Sequence, residues 1–297
     1  MWLGLAFLSA LFLGLYDVAK KQAVRDNAVA VVLLLTTTLS ALLFAPVIVA
    51  SLTDTGWFEG TMFDYGRQGL DMHLRVMLKA AITLSSWIFG YVGIKHLPLT
   101  IVGPINATRP VIVLLGALII FGERLNALQW VGVVLAFISI LLLSRAGKRE
   151  GIDFVRNRYV LYVALAAVLG ATSGLYDRYL LREMDAMFVQ SWFSVYQAVM
   201  MAIVVGFMWA RRVLPRFHWS WAIPLVTILL TIADMAYFVA LSREESMVAV
   251  VSMIRRSSVV VSFASGALLF GEKNLRAKAL DLVFILIGMI FLWLGSR

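Results

Sequence analysis

Three arginines lie deep inside apolar stretches of the sequence. They are Arg109, Arg255 and Arg256. An unpaired arginine at the centre of a membrane-spanning helix costs about 2.5–3.5 kcal/mol. Guanidinium groups bind carboxylates and phosphates through two parallel hydrogen bonds. The three residues therefore indicate either a site for an anionic ligand or internal ion pairs that stabilise packing.

Arg109 has polar and helix-loosening neighbours. Asn106 lies three residues earlier on the same helical face, and Gly103 lies one turn before Asn106. Pro110 lacks an N–H, so the carbonyl oxygen of Asn106 loses its helical donor. This segment predicts the polar wall of a cavity, with Arg109 and Asn106 as substrate-binding residues.

Asp234 is a carboxylate within another apolar stretch, one turn before Tyr237, and both are candidate substrate-binding residues. Asp234 is either the ion-pair partner of an arginine or a protonatable group, and an arginine neighbour would keep it ionised. Arg255 and Arg256 are adjacent, so their side chains point about 100° apart on a helix. The sequence predicts that one of the two faces the cavity and leaves open which one.

Trp87 and Tyr91 lie one helical turn apart. Their rings suit stacking on an apolar or cationic substrate, so both are candidate binding residues. The same spacing is also typical of aromatic residues that pack against other helices or face lipid.

A tyrosine–aspartate pair occurs twice in the chain, as Tyr16-Asp17 and as Tyr176-Asp177. Asp17 lies one turn before two lysines, and Asp177 lies beside Arg178. One interpretation is a helix-end ion pair at each site. The other is a pair of gates, one closing each side of the membrane in turn.

These residues belong to a very apolar chain. Of its 297 residues, 62% are hydrophobic and 14% charged, against roughly 25% charged in a soluble domain. This composition excludes a soluble enzyme, a secreted domain and a disordered chain. The chain has no cysteine and three scattered histidines, and it lacks the usual phosphate-loop and hydrolase motifs. We therefore expect no cofactor, no metal and no enzyme activity.

Apolar stretches of the length needed to cross a bilayer, about 20 residues, occur ten times. The predicted spans are Trp2–Ala19, Ala28–Leu52, Val76–Ile94, Leu99–Phe121, Ala127–Leu143, Tyr159–Leu181, Met187–Ala210, Trp219–Leu241, Met247–Phe270 and Ala277–Gly295. The connection of residues 53–75 is either an interfacial helix or a solvated loop. Lysine and arginine are nearly twice as frequent on one side, which the positive-inside rule makes cytoplasmic. Both termini would then be extracytoplasmic, in a bacterial-type plasma membrane.

The two halves of the sequence resemble each other. Residues 14–17 recur at 174–177, and Gly-Ala-Leu followed by Phe-Gly-Glu at 116–123 recurs at 266–272.

The repeat divides the chain into five spans in residues 1–143, a basic linker in residues 144–158 and five spans in residues 159–297. Two fused halves with an odd number of spans must have opposite orientations. The predicted fold is therefore an all-α integral membrane protein of ten transmembrane helices, arranged as two inverted five-helix repeats. This plan is typical of transporters that bind their substrate between the halves.

Several short motifs carry a family resemblance. They are Ile-Lys-His-Leu-Pro at 94–98, Gly-Glu-Arg-Leu at 122–125 and Gln-Trp-Val-Gly at 129–132, with Pro110 thirteen residues before Glu123. The chain resembles the EamA-type repeat of the drug/metabolite transporter superfamily, once in each half. The second half departs from the pattern at Val259, where a proline is expected.

The resemblance implies secondary transport, such as efflux or exchange, of a small polar or amphipathic metabolite. It marks Glu123 and Glu272 as signature residues, for which we predict a turn or an ion pair between the halves. The alternatives are a translocase for a phosphorylated or lipid-linked anion and, from other classes, a lipid-modifying enzyme or a scaffold. The expected partners are a small-molecule or lipid-linked substrate and membrane lipid, without nucleic acid. The oligomeric state is left open, with a monomer as one possibility.

Overall fold

The computed structural model describes residues 2–53, 55–61, 63–112, 115, 125–181, 183–241, 251 and 254–295, and this part of the chain is helical with no strand. The helices are α1 (Trp2–Val24), α2 (Val29–Thr53), α3 (Leu70–His96), α4 (Leu99–Ala107), α5 (Ala127–Lys148), α6 (Arg158–Leu180), α7 (Ala186–Ala210), α8 (Ala222–Leu241), α9 (Ser258–Leu269) and α10 (Leu275–Gly295).

Seven of these helices are long and apolar enough to cross a membrane: α1, α2, α3, α5, α6, α7 and α10. Helix α8 is apolar over the shorter stretch Ala222–Tyr237. Large apolar side chains point outward, such as Phe137 and Leu141 on α5. An apolar exterior on long helices is expected of a chain that is surrounded by lipid. The prediction of an all-helical membrane protein is confirmed, and the count of ten spans stays a prediction.

The predicted span Leu99–Phe121 is not one continuous helix in its described part. Helix α4 ends at Ala107, Thr108 forms a turn, and a further helical turn follows at 109–112. Pro110 explains the interruption, because it cannot donate a hydrogen bond to the preceding turn. Residues 113, 114 and 116–124, which include Glu123, lie outside the described residues.

The predicted span Met247–Phe270 has a similar interruption at Ser257, between a helical turn at 254–256 and α9. The Ser257 N–H donates to the carbonyl oxygen of Ile254 at 3.0 Å, which closes a tight turn. Residues 242–250 and 252–253 lie outside the described part of the chain.

The helix pairs obey a symmetry between the two halves of the chain, the exchange rule. Helix α1 packs on α8 and α3 packs on α6, while α2 packs on α7, α4 on α9 and α5 on α10. Replacing each helix of the first half by its counterpart in the second half leaves these pairings unchanged. Three of these pairs, α2 with α7, α4 with α9 and α5 with α10, join corresponding helices, and the other two, α1 with α8 and α3 with α6, are exchanged for each other.

Helices α5 and α10 run antiparallel and are bonded at both ends. The Asn126 Nδ2 donates to the carbonyl oxygen of Gly295 at 2.5 Å, and at the other end Lys278 pairs with Glu150 at 2.8 Å. Between these ends the helices meet closely at Gly132, where an added Cβ would lie 2.8 Å from a backbone oxygen of α10. Small residues permit such close contact between membrane helices.

The connections differ in detail from the predicted boundaries. Residues 55–61 and 63–69 form turns and extended chain rather than an interfacial helix, so the loop interpretation is correct for these residues. Tyr65 in this loop is buried, and its hydroxyl accepts a hydrogen bond from Ser191 of α7 at 2.9 Å. Helix α5 continues to Lys148, so the first residues of the predicted linker are helical.

Candidate functional site

The three arginines of the apolar stretches flank the two helix interruptions. Arg109 directly follows the turn at Thr108, and Arg255 and Arg256 directly precede the turn at Ser257. Helices α4 and α9 are in close contact, and the positive charges of Arg109 and Arg255 both act on Arg256. Interrupted helices that meet inside a membrane protein expose polar backbone where a ligand can bind. The structure thus gathers the three guanidinium groups in one region.

Arg109 lies in a recess on α6. A Cβ added to Gly170 would lie 2.7 Å from Arg109 Cζ and 2.9 Å from its Nη1. The Nη2 donates to Asn106 Oδ1 at 3.2 Å, whereas the buried Nε has no hydrogen-bond partner among the described residues. No acidic side chain of the described residues forms an ion pair with it, so part of the hydrogen-bond donor capacity of the guanidinium is unused among them.

Asp234 forms an ion pair with Arg255, and the guanidinium carbon of Arg255 lies 4.4 Å from the ring centroid of Tyr237. About a fifth of each charged side chain is exposed. This settles which arginine meets Asp234. Arg256 has no ion pair among the described residues, so Arg109 and Arg256 are the two arginines whose charge is left without a described counterion.

A second polar group joins α1, α3 and α9. The hydroxyls of Tyr16 and Tyr91 lie 3.5 Å apart, and Lys20 Nζ lies 4.5 Å from the Tyr16 ring and 2.7 Å from Asp17 Oδ1. The other Asp17 oxygen accepts a hydrogen bond from Ser262 at 3.0 Å. Charges of this group also act on Arg109. The group therefore borders the arginine region.

Trp87 packs edge-on against Phe193, with centroids 6.1 Å apart. Together with Tyr91 it lines a cavity of about 20 Å³, which holds about one water molecule. The remaining polar lining consists of hydroxyl groups from Thr36, Thr37, Ser40 and Thr227.

The second tyrosine–aspartate pair has different surroundings. Asp177 pairs with Lys79 of α3 at 2.8 Å, and the side chain of Arg178, the neighbour in the predicted pair, lies outside the described residues. The Tyr176 ring stacks on Tyr179 with centroids 5.8 Å apart. The ion pair between Lys79 and Asp177 can form because α3, which carries Lys79, packs along α6. The two pairs thus do not share a site.

Glu272 joins the halves more extensively than the predicted ion pair. It accepts hydrogen bonds from the backbone N–H groups of Leu99 (2.7 Å) and Thr100 (2.9 Å) and pairs with Lys21 at 3.3 Å. It therefore caps the N-terminus of α4 from the opposite half. Burial raises the pKa of this carboxyl, but hydrogen bonds from Thr100 and the charge of Lys21 outweigh it, and the pKa lies below its ordinary value.

Lys278 is part of the same connection, and sequence reasoning placed it among the loop charges. Its side chain is fully buried. The Nζ donates to Thr100 Oγ1 and to Glu150 Oε2, each at 2.9 Å. Lys278 and Asp281 are three residues apart, so a helix predicted over residues 275–281 would place both on the same face of α10.

Long helices with apolar outer surfaces, held together by small residues and buried ion pairs, define an integral membrane protein that crosses the bilayer several times. Residues 1–145 match the EamA-like transporter family. The first half of the chain is therefore similar to this family.

The fold is similar to that of a protein of known crystal structure. The TM-score is 0.62 at 18% sequence identity, and the match covers 97% of this chain and 94% of the other. This likeness concerns the fold alone. No curated protein matches the sequence.

Proposed function

We propose that this protein is a secondary transporter that binds a small polar or amphipathic metabolite between its two halves and works by alternating access. The observation that carries the proposal is the pair of arginines, Arg109 and Arg256, at the two helix interruptions. Neither has a described acidic partner, and both lie where α4 of one half meets α9 of the other. Charged residues inside membrane-spanning segments are costly, so one without an ion-pair partner is a candidate functional residue.

The ten-span, inverted-repeat arrangement is part of the proposal. The exchange rule in the helix packing and the antiparallel pair α5 and α10 support it, because corresponding helices of inverted repeats run in opposite directions. We place both termini outside the cytoplasm, in a bacterial-type plasma membrane, from the lysine and arginine count.

We assign roles to the candidate residues from their contacts. Arg109, held by Asn106, and Arg256 bind the acidic part of the substrate. Asp234 and Tyr237 position Arg255 at the edge of the site.

The aromatic residues Trp87 and Tyr91 line the neighbouring hydroxyl-rich cavity and complete the binding residues. Tyr16 and Asp17 are the gate beside the arginine region.

Tyr176 and Asp177 are the gate on the opposite side of the membrane. Each aspartate of the two gates is held by a lysine in this conformation.

A translocase for a phosphorylated or lipid-linked anion is the second candidate. The two arginines without described counterions favour it, because phosphate accepts paired hydrogen bonds from guanidinium. The two candidates share the site and differ in the size and charge of the substrate.

The test is thermal unfolding of the purified protein with a panel of anionic, zwitterionic and cationic metabolites and lipid-linked phosphates. A ligand at one hundred times its Kd stabilises by about 2.7 kcal/mol. We expect stabilisation by one anionic class, lost in Arg109→Ala and retained in Arg216→Ala, a change at an exposed loop residue. Stabilisation by anions that survives in Arg109→Ala, or a response to cations alone, would contradict this site.

A further inference from the structure

Helix α10 carries a buried carboxylate that the proposed function does not use. Asp281, seven residues into the helix, has no exposed surface. Its Oδ1 accepts a hydrogen bond from Ser139 of α5. Its Oδ2 is buried and has no hydrogen-bond partner among the described residues. A carboxyl group with one oxygen unsatisfied and no water access needs a physical explanation.

The described residues supply no counterion to Asp281. Helices α5 and α4 pack against α10, and α5 presents the Ser139 hydroxyl. On α10 itself the nearest cation in sequence is Lys278, whose Nζ is bound by Thr100 and Glu150. No lysine or arginine of the described residues lies within 4.0 Å of the Asp281 carboxylate.

The charged residue of the segment that follows α4 is Arg109, and its guanidinium lies against Gly170 of α6. Described apolar residues of α4, α5 and α10 pack together around this part of α10. They form a cluster that includes Ala107, Val133, Ala136, Leu282 and Ile285.

With no counterion among the described residues, an ionised carboxylate in such a place would be uncompensated, which is costly in free energy. The neutral acid avoids this cost, and the Ser139 hydroxyl can still donate to its carbonyl oxygen. A proton on Oδ2, the oxygen without a described hydrogen-bond partner, would make the group neutral. The geometry therefore describes a carboxylic acid rather than a carboxylate.

We propose that Asp281 is a proton-binding site of this membrane protein. It holds a proton in the packed state and exchanges it only when the contact between α5 and α10 opens to water. On uptake an O–H bond forms on Oδ2 with a proton from water, and on release that bond breaks and the proton returns to water.

The site has a direct physical connection to the candidate binding region. Ala107 and Val111 lie on either side of Arg109 in sequence, and both pack in one cluster with Leu282 and Ile285 of α10. A substrate that moves the Arg109 segment therefore changes the packing around Asp281. This coupling rests on the proposed transport function, whereas proton binding itself does not.

The test is infrared spectroscopy of the full-length protein in liposomes at neutral pH, because the C=O stretch of a protonated carboxyl group is separate from carboxylate bands. We expect one protonated-acid band that disappears in Asp281→Asn. It should persist in Asp177→Asn, the matched control, because Asp177 is ion-paired with Lys79. A spectrum in which Asp281→Asn removes a carboxylate band instead would overturn the proposal.

A second measurement covers the case in which the variant spectra overlap. Because the native protein holds a proton that the unfolded chain loses, wild-type stability should fall as the pH rises through the range in which unfolded aspartate ionises. Asp281→Asn should lack this part of the fall and should unfold at an equal or higher temperature than wild type. A fall of stability with pH in Asp281→Asn equal to that of wild type would overturn the proposal. Neither result depends on whether transport is detected.

Discussion

Gly170 permits a direct test of the arginine site without touching a charged residue. In Gly170→Ala the new methyl group would lie 2.7 Å from Arg109 Cζ, 2.9 Å from Nη1 and 3.0 Å from Nε. Carbon atoms in contact prefer separations of about 3.5–4.0 Å, so the guanidinium must retreat by about 1 Å. The end of an arginine side chain can do this without a backbone shift. We therefore expect the fold to persist and the site to change.

The magnitude follows from the interactions that the guanidinium would lose. A hydrogen bond to a charged group contributes about 1.5–3 kcal/mol, and each 1.4 kcal/mol is a factor of ten in Kd. Gly170→Ala should therefore weaken binding of an anionic substrate by about 10- to 100-fold. Replacing glycine by alanine inside a helix gains about 0.5–1 kcal/mol, so the unfolding temperature of the ligand-free protein should not fall.

The assay compares Gly170→Ala with Gly174→Ala, one turn further along the same helix. A Cβ at Gly174 meets no atom within 4 Å, so this control gains the same helix propensity and leaves Arg109 in place. Ligand-dependent thermal stabilisation should be reduced only in Gly170→Ala. Equal stabilisation of both variants by the same anion would refute the reasoning that Arg109 binds substrate from this recess. So would a large drop in the unfolding temperature of ligand-free Gly170→Ala, because the recess would then be structural.

Two further predictions concern the contacts between the halves. Glu272→Gln should destabilise the protein by about 1.5–3 kcal/mol, since it removes a charged acceptor, and exposed Glu59→Gln should have no effect. The pKa of Glu272 is lowered in the folded state. Its contribution to the free energy of unfolding is therefore present at neutral pH and is lost as the pH falls through that pKa. Thermal unfolding measured against pH should show this loss in wild type and not in Glu272→Gln. Gly132→Ala should cost about 1–3 kcal/mol by overpacking, because the new Cβ would lie 2.8 Å from the Gly288 carbonyl oxygen. Gly206→Ala, where a Cβ meets nothing within 4 Å, is the control for that measurement, and equal unfolding temperatures of the two variants would contradict close packing of α5 on α10.

The lengths of the apolar stretches were sufficient to predict helices and their approximate positions. It could not locate the interruption at Thr108, because a proline inside an apolar stretch is compatible with either a kinked or a broken helix. Pro110 is visible in the sequence. Whether it kinks or breaks the helix depends on which backbone carbonyl groups find hydrogen-bond partners in the packed structure. The structure resolves this through the turn bond from Thr108 to Ile105.

Pairwise contacts were predictable only where sequence spacing limited the choices. Asp234 had two adjacent arginines as candidate partners, and helical geometry alone did not distinguish them. Glu272 was expected at an ion pair between halves, which it forms with Lys21, but its capping of α4 could not be read from spacing. The partner groups lie more than 170 positions earlier in the chain.

Asp281 could not be recognised as a buried site from the sequence. In the sequence it follows a group of loop cations and resembles an ordinary polar residue near a helix end. Its burial depends on how closely α5 approaches α10, and that approach is set by the glycines of both helices. Such a site is visible only after packing has been determined.

The antiparallel pairing of α5 with α10 has a consequence for biosynthesis. Helix α5 ends at Lys148 and α10 begins at Leu275, so about 130 residues separate the two partners during translation. At about 5–20 residues per second, α5 is complete for roughly 6–25 seconds before its partner is made. Throughout that interval the glycine-bearing face around Gly132 lacks its partner α10. Chains interrupted before Leu275 would keep this face uncovered, which gives membrane quality control a physical signal of an unfinished protein.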